Sequence, residues 1–182
     1  MASLTFITGN QSKADYMSRY LAHPVNHQKL DLYEIQSLDI QTVVKHKVTQ
    51  AYNIVGSPVI VEDISLEFEA LGRLPGTFIK YFVSEIPYET ICRMLDSFSR
   101  KATAKCAIGY YNGTRLELFE NSLKGEISPH PRGDKGFDWD KIFIPEGYEQ
   151  TRAEMNEANY RKTYMLLRPV EQLKTFLENN LP

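Results

Sequence analysis

Residues 41–61 constrain the fold more than any other stretch. A helix pattern, a stop and an apolar strand follow one another there without a gap. Val44, Val48, Ala51 and Val55 recur at i, i+4, i+7 and i+11, which makes one apolar stripe on a helix over residues 41–55. Gly56-Ser57-Pro58 ends that helix. Val59-Ile60-Val61 then reads as a buried strand that leads into Glu62-Asp63. A striped helix that runs straight into an apolar strand fits an α/β architecture.

The rest of the chain fits that class. The spacing predicts a strand over residues 4–8, a helix over 11–22 with Met17, Tyr20 and Leu21 on one side, and a strand over 30–35. A turn at 74–76 leads to a helix over 77–84, and a second helix covers 88–98. Runs at 105–111 and 114–120 flank Asn112-Gly113, the pair that a type I′ hairpin turn prefers. A Pro/Gly loop fills 128–140, and helices over 153–168 and 170–181 close the chain on either side of Pro169. Early alternation plus a hairpin predicts a mixed sheet. No linker or repeat divides the 182 residues, so one domain over 1–182 is expected.

Charge narrows the function. Lys plus Arg is 21 and Asp plus Glu is 23, a net −2, which leaves no basic footprint for long nucleic acid. Only Cys92 and Cys106 are present, too few for a disulfide framework or a four-cysteine zinc site. No apolar run reaches the ~18 residues of a membrane span. The start of the sequence lacks a basic leader region, so a reducing cytosol is the expected compartment.

Four constellations can carry chemistry. Thr8-Gly9-Asn10-Gln11-Ser12-Lys13 joins a strand end to a helix start, where free N–H groups, the helix dipole and the Lys13 ammonium suit phosphate. The same residues also fit a plain turn capped by Asn10. Glu62 and Asp63 stand at a strand end, where clefts of α/β sheets form. A hard cation such as Mg²⁺ would neutralise such carboxylates, and Asp63 could then take a proton from water. Neighbours on a strand face opposite ways, so the two need not serve one ion. Glu34 could add an oxygen. Lys47 borders the apolar stripe three residues after Val44, placed either to snorkel or to meet phosphate. Finally, residues 131–140 carry Phe137 and the only tryptophan, Trp139, on a glycine-framed loop. Such aromatics can stack a nucleobase, with Asp140 accepting from a base N–H, or they can simply pin the loop to the core.

The order of these motifs resembles one family. TGNxxK near the start, VED-x-x-L-x-F-x-AL at 61–71, LPG-x-x-IK-x-F at 74–82, PRG-x-x-GF-x-WD at 131–140 and GYEQT-x-AEM at 147–155 are similar to the inosine/xanthosine triphosphate pyrophosphatases. The IK, WD and GYEQT elements look like the eukaryotic-type members. The resemblance implies an elongated α/β fold, with a mixed central sheet and helices in two lobes, and a homodimer. It implies Mg²⁺-dependent hydrolysis of ITP, dITP or XTP to monophosphate and pyrophosphate. By position, Thr8 to Lys13 would hold the triphosphate, and Glu34 and Asp63 the Mg²⁺. Asp63 would also be the base for the attacking water, and Lys13 a catalytic cation. Lys47 and Lys80 would contact phosphates or sugar. Phe137 would stack on the base, with Trp139 and Asp140 closing the pocket.

The departures lie at the base end. The family carries a lysine and then Ser-His-Arg after AEM. Here Tyr164 or Met165 stands for the histidine, and Met165 or Leu166 for the arginine, with Arg161 and Lys162 as the nearby cations. Asp138 replaces the family's loop glycine and Lys141 its proline. These changes predict altered base selectivity. Two alternatives remain: a non-catalytic nucleotide-binding homologue, and a pyrophosphatase for another modified nucleotide.

Overall fold

The computed structural model describes residues 4–9, 11–21 and 24–180. In chain order the elements are β1 (Leu4–Ile7), α1 (Gln11–Leu21), β2 (Val25–Gln28), α2 (Ile40–Val55), β3 (Val59–Phe68), β4 (Pro75–Gly76), α3 (Ile79–Glu85), α4 (Tyr88–Arg93), β5 (Lys101–Tyr111), β6 (Leu116–Ile127), β7 (Phe143–Pro145), α5 (Glu157–Leu167) and α6 (Val170–Asn180). Short 3-10 turns cover Glu69–Leu71, Asp138–Lys141 and Arg152–Glu154. The seven strands form one mixed sheet in the order β2-β1-β3-β5-β6-β7, with β4 paired to β3. β1 runs parallel to both β2 and β3, whereas β3–β4 and β6–β7 are antiparallel. The α/β class with a mixed sheet is therefore what the chain forms. Among the described residues no helix is long and apolar enough to cross a membrane.

The chain makes two compact units. The first comprises the residues up to Asp63, Cys106–Glu120 and the chain from Arg168 onward; the second comprises Ile64–Lys105 and Asn121–Leu167. In the first, α2 lays Ile40, Val44, Val48 and Ala51 against Ile7, Val59, Val61 and Ala107. Val55, the last residue of the sequence stripe, only flanks this core. Gly109 on β5 allows the close approach: a Cβ there would stand 2.7 Å from Val44 Cγ1. α2 starts at Asp39, whose carboxylate accepts from Gln41 N, and ends at Gly56, left-handed at φ 70°.

Several boundaries differ from the sequence expectation, each for a physical reason. The second strand is 25–28, not 30–35. β2 is a largely exposed edge strand held by its ladder to β1, so apolar content does not mark it. Leu30 and Leu32 instead pack on the core from an irregular segment. The helix at 88–98 stops at Arg93, because the Arg100 guanidinium takes the Cys92 carbonyl at 3.1 Å and the chain tightens into turns. At the hairpin, Asn112 keeps a negative φ, unlike a type I′ turn. Its Oδ1 accepts from Thr114 N and Arg115 N, which makes a longer loop. α5 begins later than expected, since 152–154 is a separate 3-10 turn, whereas α6 begins at Val170 as expected.

Candidate functional site

In the first unit, the β1 end and α2 bring the phosphate-type residues forward. Thr8 N donates to Gln28 O at 3.0 Å, so β2 fixes the turn that follows β1. Gly9 is exposed, and a Cβ there would meet only the Lys29 side chain at ordinary contact distance. The protein's own packing therefore does not demand glycine at that position. Asn10 lies outside the described residues. Lys13, in the first turn of α1, donates from Nζ to Glu62 Oε1 at 3.2 Å.

Glu62 and Asp63 face different partners, as adjacent strand residues do. Glu62 is nearly inaccessible, its side chain only 2% exposed, and is gripped by Lys13 on one oxygen and by Arg168 Nε at 3.1 Å on the other. Burial favours its neutral form, but Arg168 and Lys13 outweigh that and hold its pKa below the ordinary glutamate value. The buried Cys106 thiol is pushed well up, by burial first and by the Glu62 charge second. Cys92 is the other buried free thiol.

Asp63 belongs to a second cluster. Lys47 Nζ lies 2.9 Å from Glu34 Oε1 and 3.1 Å from Asp63 Oδ2. Glu34 reaches this point from the irregular segment after β2, not from a strand end. That segment is pinned to α2 by a reciprocal pair: Gln50 Nε2 donates to Tyr33 O at 3.2 Å, and Tyr33 N to Gln50 Oε1 at 2.8 Å. Burial would lower the Lys47 pKa, yet Asp63 and Glu34 together raise it, so its ammonium is secure. Two carboxylates converging on one cation, and still partly open to water, make a hard-oxygen pair. Mg²⁺ is held by few protein oxygens plus phosphates and waters, and this pair fits it. Among the described residues no group of three or more His, Cys, Asp or Glu is arranged for a metal.

In the second unit, the loop aromatics separate. Phe137 is 57% exposed, whereas Trp139 is buried with its ring edge-on to Phe143 at 5.4 Å. Trp139 thus packs the loop onto the core. Asp138 is left-handed at φ 44°, a conformation that aspartate tolerates better than most residues and glycine best. Asp140 is 3% exposed. Its Oδ1 accepts from Arg152 Nε at 2.6 Å, and its Oδ2 from Phe137 N and Tyr160 OH, both at 2.9 Å. Both of its oxygens are engaged within the protein. Gly136 cannot be replaced here: it has φ 78°, and a Cβ would sit 2.4 Å from Asp140 Oδ2.

A cavity of about 410 Å³ adjoins this turn, lined by Lys135, Gly136, Phe137, Met155, Glu157 and Tyr160. Arg161 and Lys162 are exposed on α5 and do not line it, and Tyr164 is buried in the core. Lys80 is exposed on α3, its Nζ 5.9 Å from the Tyr81 ring centroid. Sequence reasoning missed Arg152, Tyr160 and Arg168. Arg152 occupies the free position of GYEQT-x-AEM, and Arg168 sits beside the Pro169 break, so no motif marks either one.

Known proteins share this chain's sequence pattern and its fold. The Ham1 family pattern matches residues 4–176. The inosine triphosphate pyrophosphatase of Yarrowia lipolytica is 38% identical over 181 residues, covering 96% of this chain and 95% of that protein. Inosine triphosphate pyrophosphatase 2 of Trypanosoma cruzi is 40% identical over 159 residues, covering 85% and 81%. Among solved structures, a HAM1 protein from Coxiella burnetii superposes with a TM-score of 0.85 at 23% identity, over 98% of this chain and all of that one. With its sequence pattern matched almost from end to end and its fold shared, the chain belongs to the Ham1 family.

Proposed function

We propose that this chain is a nucleoside triphosphate pyrophosphatase that hydrolyses non-standard purine nucleotides such as ITP, dITP or XTP to monophosphate and pyrophosphate. The observation that carries the reading is the convergence of Glu34 and Asp63 on the Lys47 ammonium. Relatives that cover almost the whole chain are named as inosine triphosphate pyrophosphatases.

Glu34 and Asp63 would hold Mg²⁺, which when bound neutralises triphosphate charge and polarises the bond to be cut. Lys13 and Lys47 supply further positive charge to the phosphates, with Thr8 and Gly9 contributing backbone and hydroxyl contacts. Asp63 accepts the proton of the attacking water. As the new P–O bond forms, the bridging P–O bond breaks, and its electron pair leaves with pyrophosphate. Lys80 is assigned to phosphate or sugar, and the exposed Phe137 ring to stacking on the base. Asp140 sets the backbone of Phe137 rather than touching the base. A homodimer in the cytosol completes the reading.

The second reading is a nucleotide-binding homologue without turnover, or an enzyme for another modified base. It is favoured by the engagement of Asp140 within the protein and by the exposure of Arg161 and Lys162 away from the cavity. A panel of ITP, dITP, XTP and standard triphosphates decides, with pyrophosphate and orthophosphate measured separately, with and without Mg²⁺. The expected result is Mg²⁺-dependent pyrophosphate release from the oxopurines. Binding without release across the panel would sink the enzymatic reading.

A further inference from the structure

We infer that Arg152 is a positioning residue that fixes the shape of the Phe137 cavity, and that it does so for all three of that cavity's apolar walls. The inference rests on the reading of Phe137 as the base platform. Arg152 is 2% exposed and sits in the 3-10 turn Arg152–Glu154, locked by a reciprocal cap in which Thr151 N donates to Glu154 Oε2 at 2.8 Å. From there its guanidinium reaches in three directions. Nε donates to Asp140 Oδ1 at 2.6 Å, Nη1 donates to Thr163 Oγ1 at 3.2 Å, and the plane lies 4.7 Å from the Tyr160 ring centroid and 5.8 Å from that of Trp139.

Tyr160 is itself a wall of the cavity, and Asp140 and Thr163 pass the hold on to its walls. Phe137 is held by its backbone N–H on Asp140. Tyr160 is held twice, by its hydroxyl on Asp140 and by its ring against the guanidinium. Met155 Sδ lies 3.8 Å from the same Thr163 hydroxyl that accepts from Arg152. A buried ion pair gives little net stability compared with well-packed apolar groups, but its geometry is directional and unforgiving. An arginine fork fixes the positions of several partners at once, which a lysine point charge does not. Arg152 itself does not line the cavity. Arg152 thus stands behind an aromatic wall and shapes it, and a flat aromatic ring is the ligand that those walls fit.

The single tryptophan gives a readout independent of turnover. Arg152→Lys, Tyr160→Phe and the unaltered protein are titrated with inosine monophosphate while Trp139 emission is followed. Inhibition by Mg-pyrophosphate and thermal melting are measured on the same samples. The expected result for Arg152→Lys is a cooperative melt, monophosphate binding weaker by about tenfold, and KM raised more than kcat is lowered, with pyrophosphate inhibition within about twofold of the unaltered protein. Tyr160→Phe, which keeps the ring on the guanidinium and loses only the hydroxyl, should weaken the monophosphate by about threefold. Should Arg152→Lys fail to fold, Tyr160→Phe decides by the same comparison. Unchanged monophosphate binding in the folded variants, or equal loss of monophosphate and pyrophosphate, overturns the role of Arg152. An unaltered protein that binds neither ligand overturns the proposed function itself.

Discussion

Glu62 has almost no contact with water yet keeps its charge, because two cations replace the solvent. Removing it takes away the carboxylate that faces the Arg168 guanidinium at 3.1 Å, on a side chain only 7% exposed. Glu62→Ala should therefore cost about 3–5 kcal/mol, read as a fall in unfolding free energy in urea. The sign of the pH effect follows from its lowered pKa. The stabilisation is present above the ordinary glutamate value and is lost as pH falls through the lowered folded value. The gap in urea midpoint between the unaltered protein and Glu62→Gln should hold at neutral pH and close on acidification. A gap that widens in acid would contradict this. Asp63 behaves otherwise, being paired with Lys47 and open to solvent. Asp63→Asn should leave the fold intact, with Lys47 still on Glu34, and lower pyrophosphate release by about 10²–10⁴-fold. An active Asp63→Asn protein would remove Asp63 from the chemistry.

Among the elements, α2 comes close onto β5, an approach made possible by Gly109. Gly109→Ala would press a methyl into Val44 and Val48 and should cost about 1–3 kcal/mol, seen as a lower melting temperature. α2 was legible in the sequence because its burial follows a 3.6-residue period, and β3 because it is apolar on both faces at its start. β2 was not legible, since an exposed edge strand carries no apolar signature, and β7 was too short to mark. The same contrast holds for the site. Lys13, Lys47 and Asp63 lie in or beside readable elements, and the structure brings Lys47 and Asp63 together. Glu34 was given to the wrong kind of segment, because its placement depends on Gln50 bonding Tyr33 across the chain. The resemblance gives Trp139 and Asp140 to the pocket, and the sequence equally allows the aromatics to pin the loop to the core; only the folded chain reveals Phe143 against Trp139 and Arg152 on Asp140. Arg152 was invisible because a free position in a motif carries no expectation of its own.

At the scale of the whole molecule, the first unit is assembled from three separate stretches of chain and the second from two. α6 contributes Phe176 to rings of Tyr110 and Phe119 within the first unit, and Arg168 delivers the second cation to Glu62. A chain ending at residue 167 should thus fail to give a soluble, cooperatively melting protein, although every residue assigned to phosphate, metal or base would still be present. A well-folded product of that truncation, seen by its circular dichroism melt, would contradict this. Because each unit borrows sequence from beyond the other, no single scission yields an autonomous half. Newly made polypeptide must present residues 168–180 before α1 and the rings of Tyr110 and Phe119 acquire their helical neighbour, so a nascent chain that has emerged only as far as residue 167 should stay protease-sensitive.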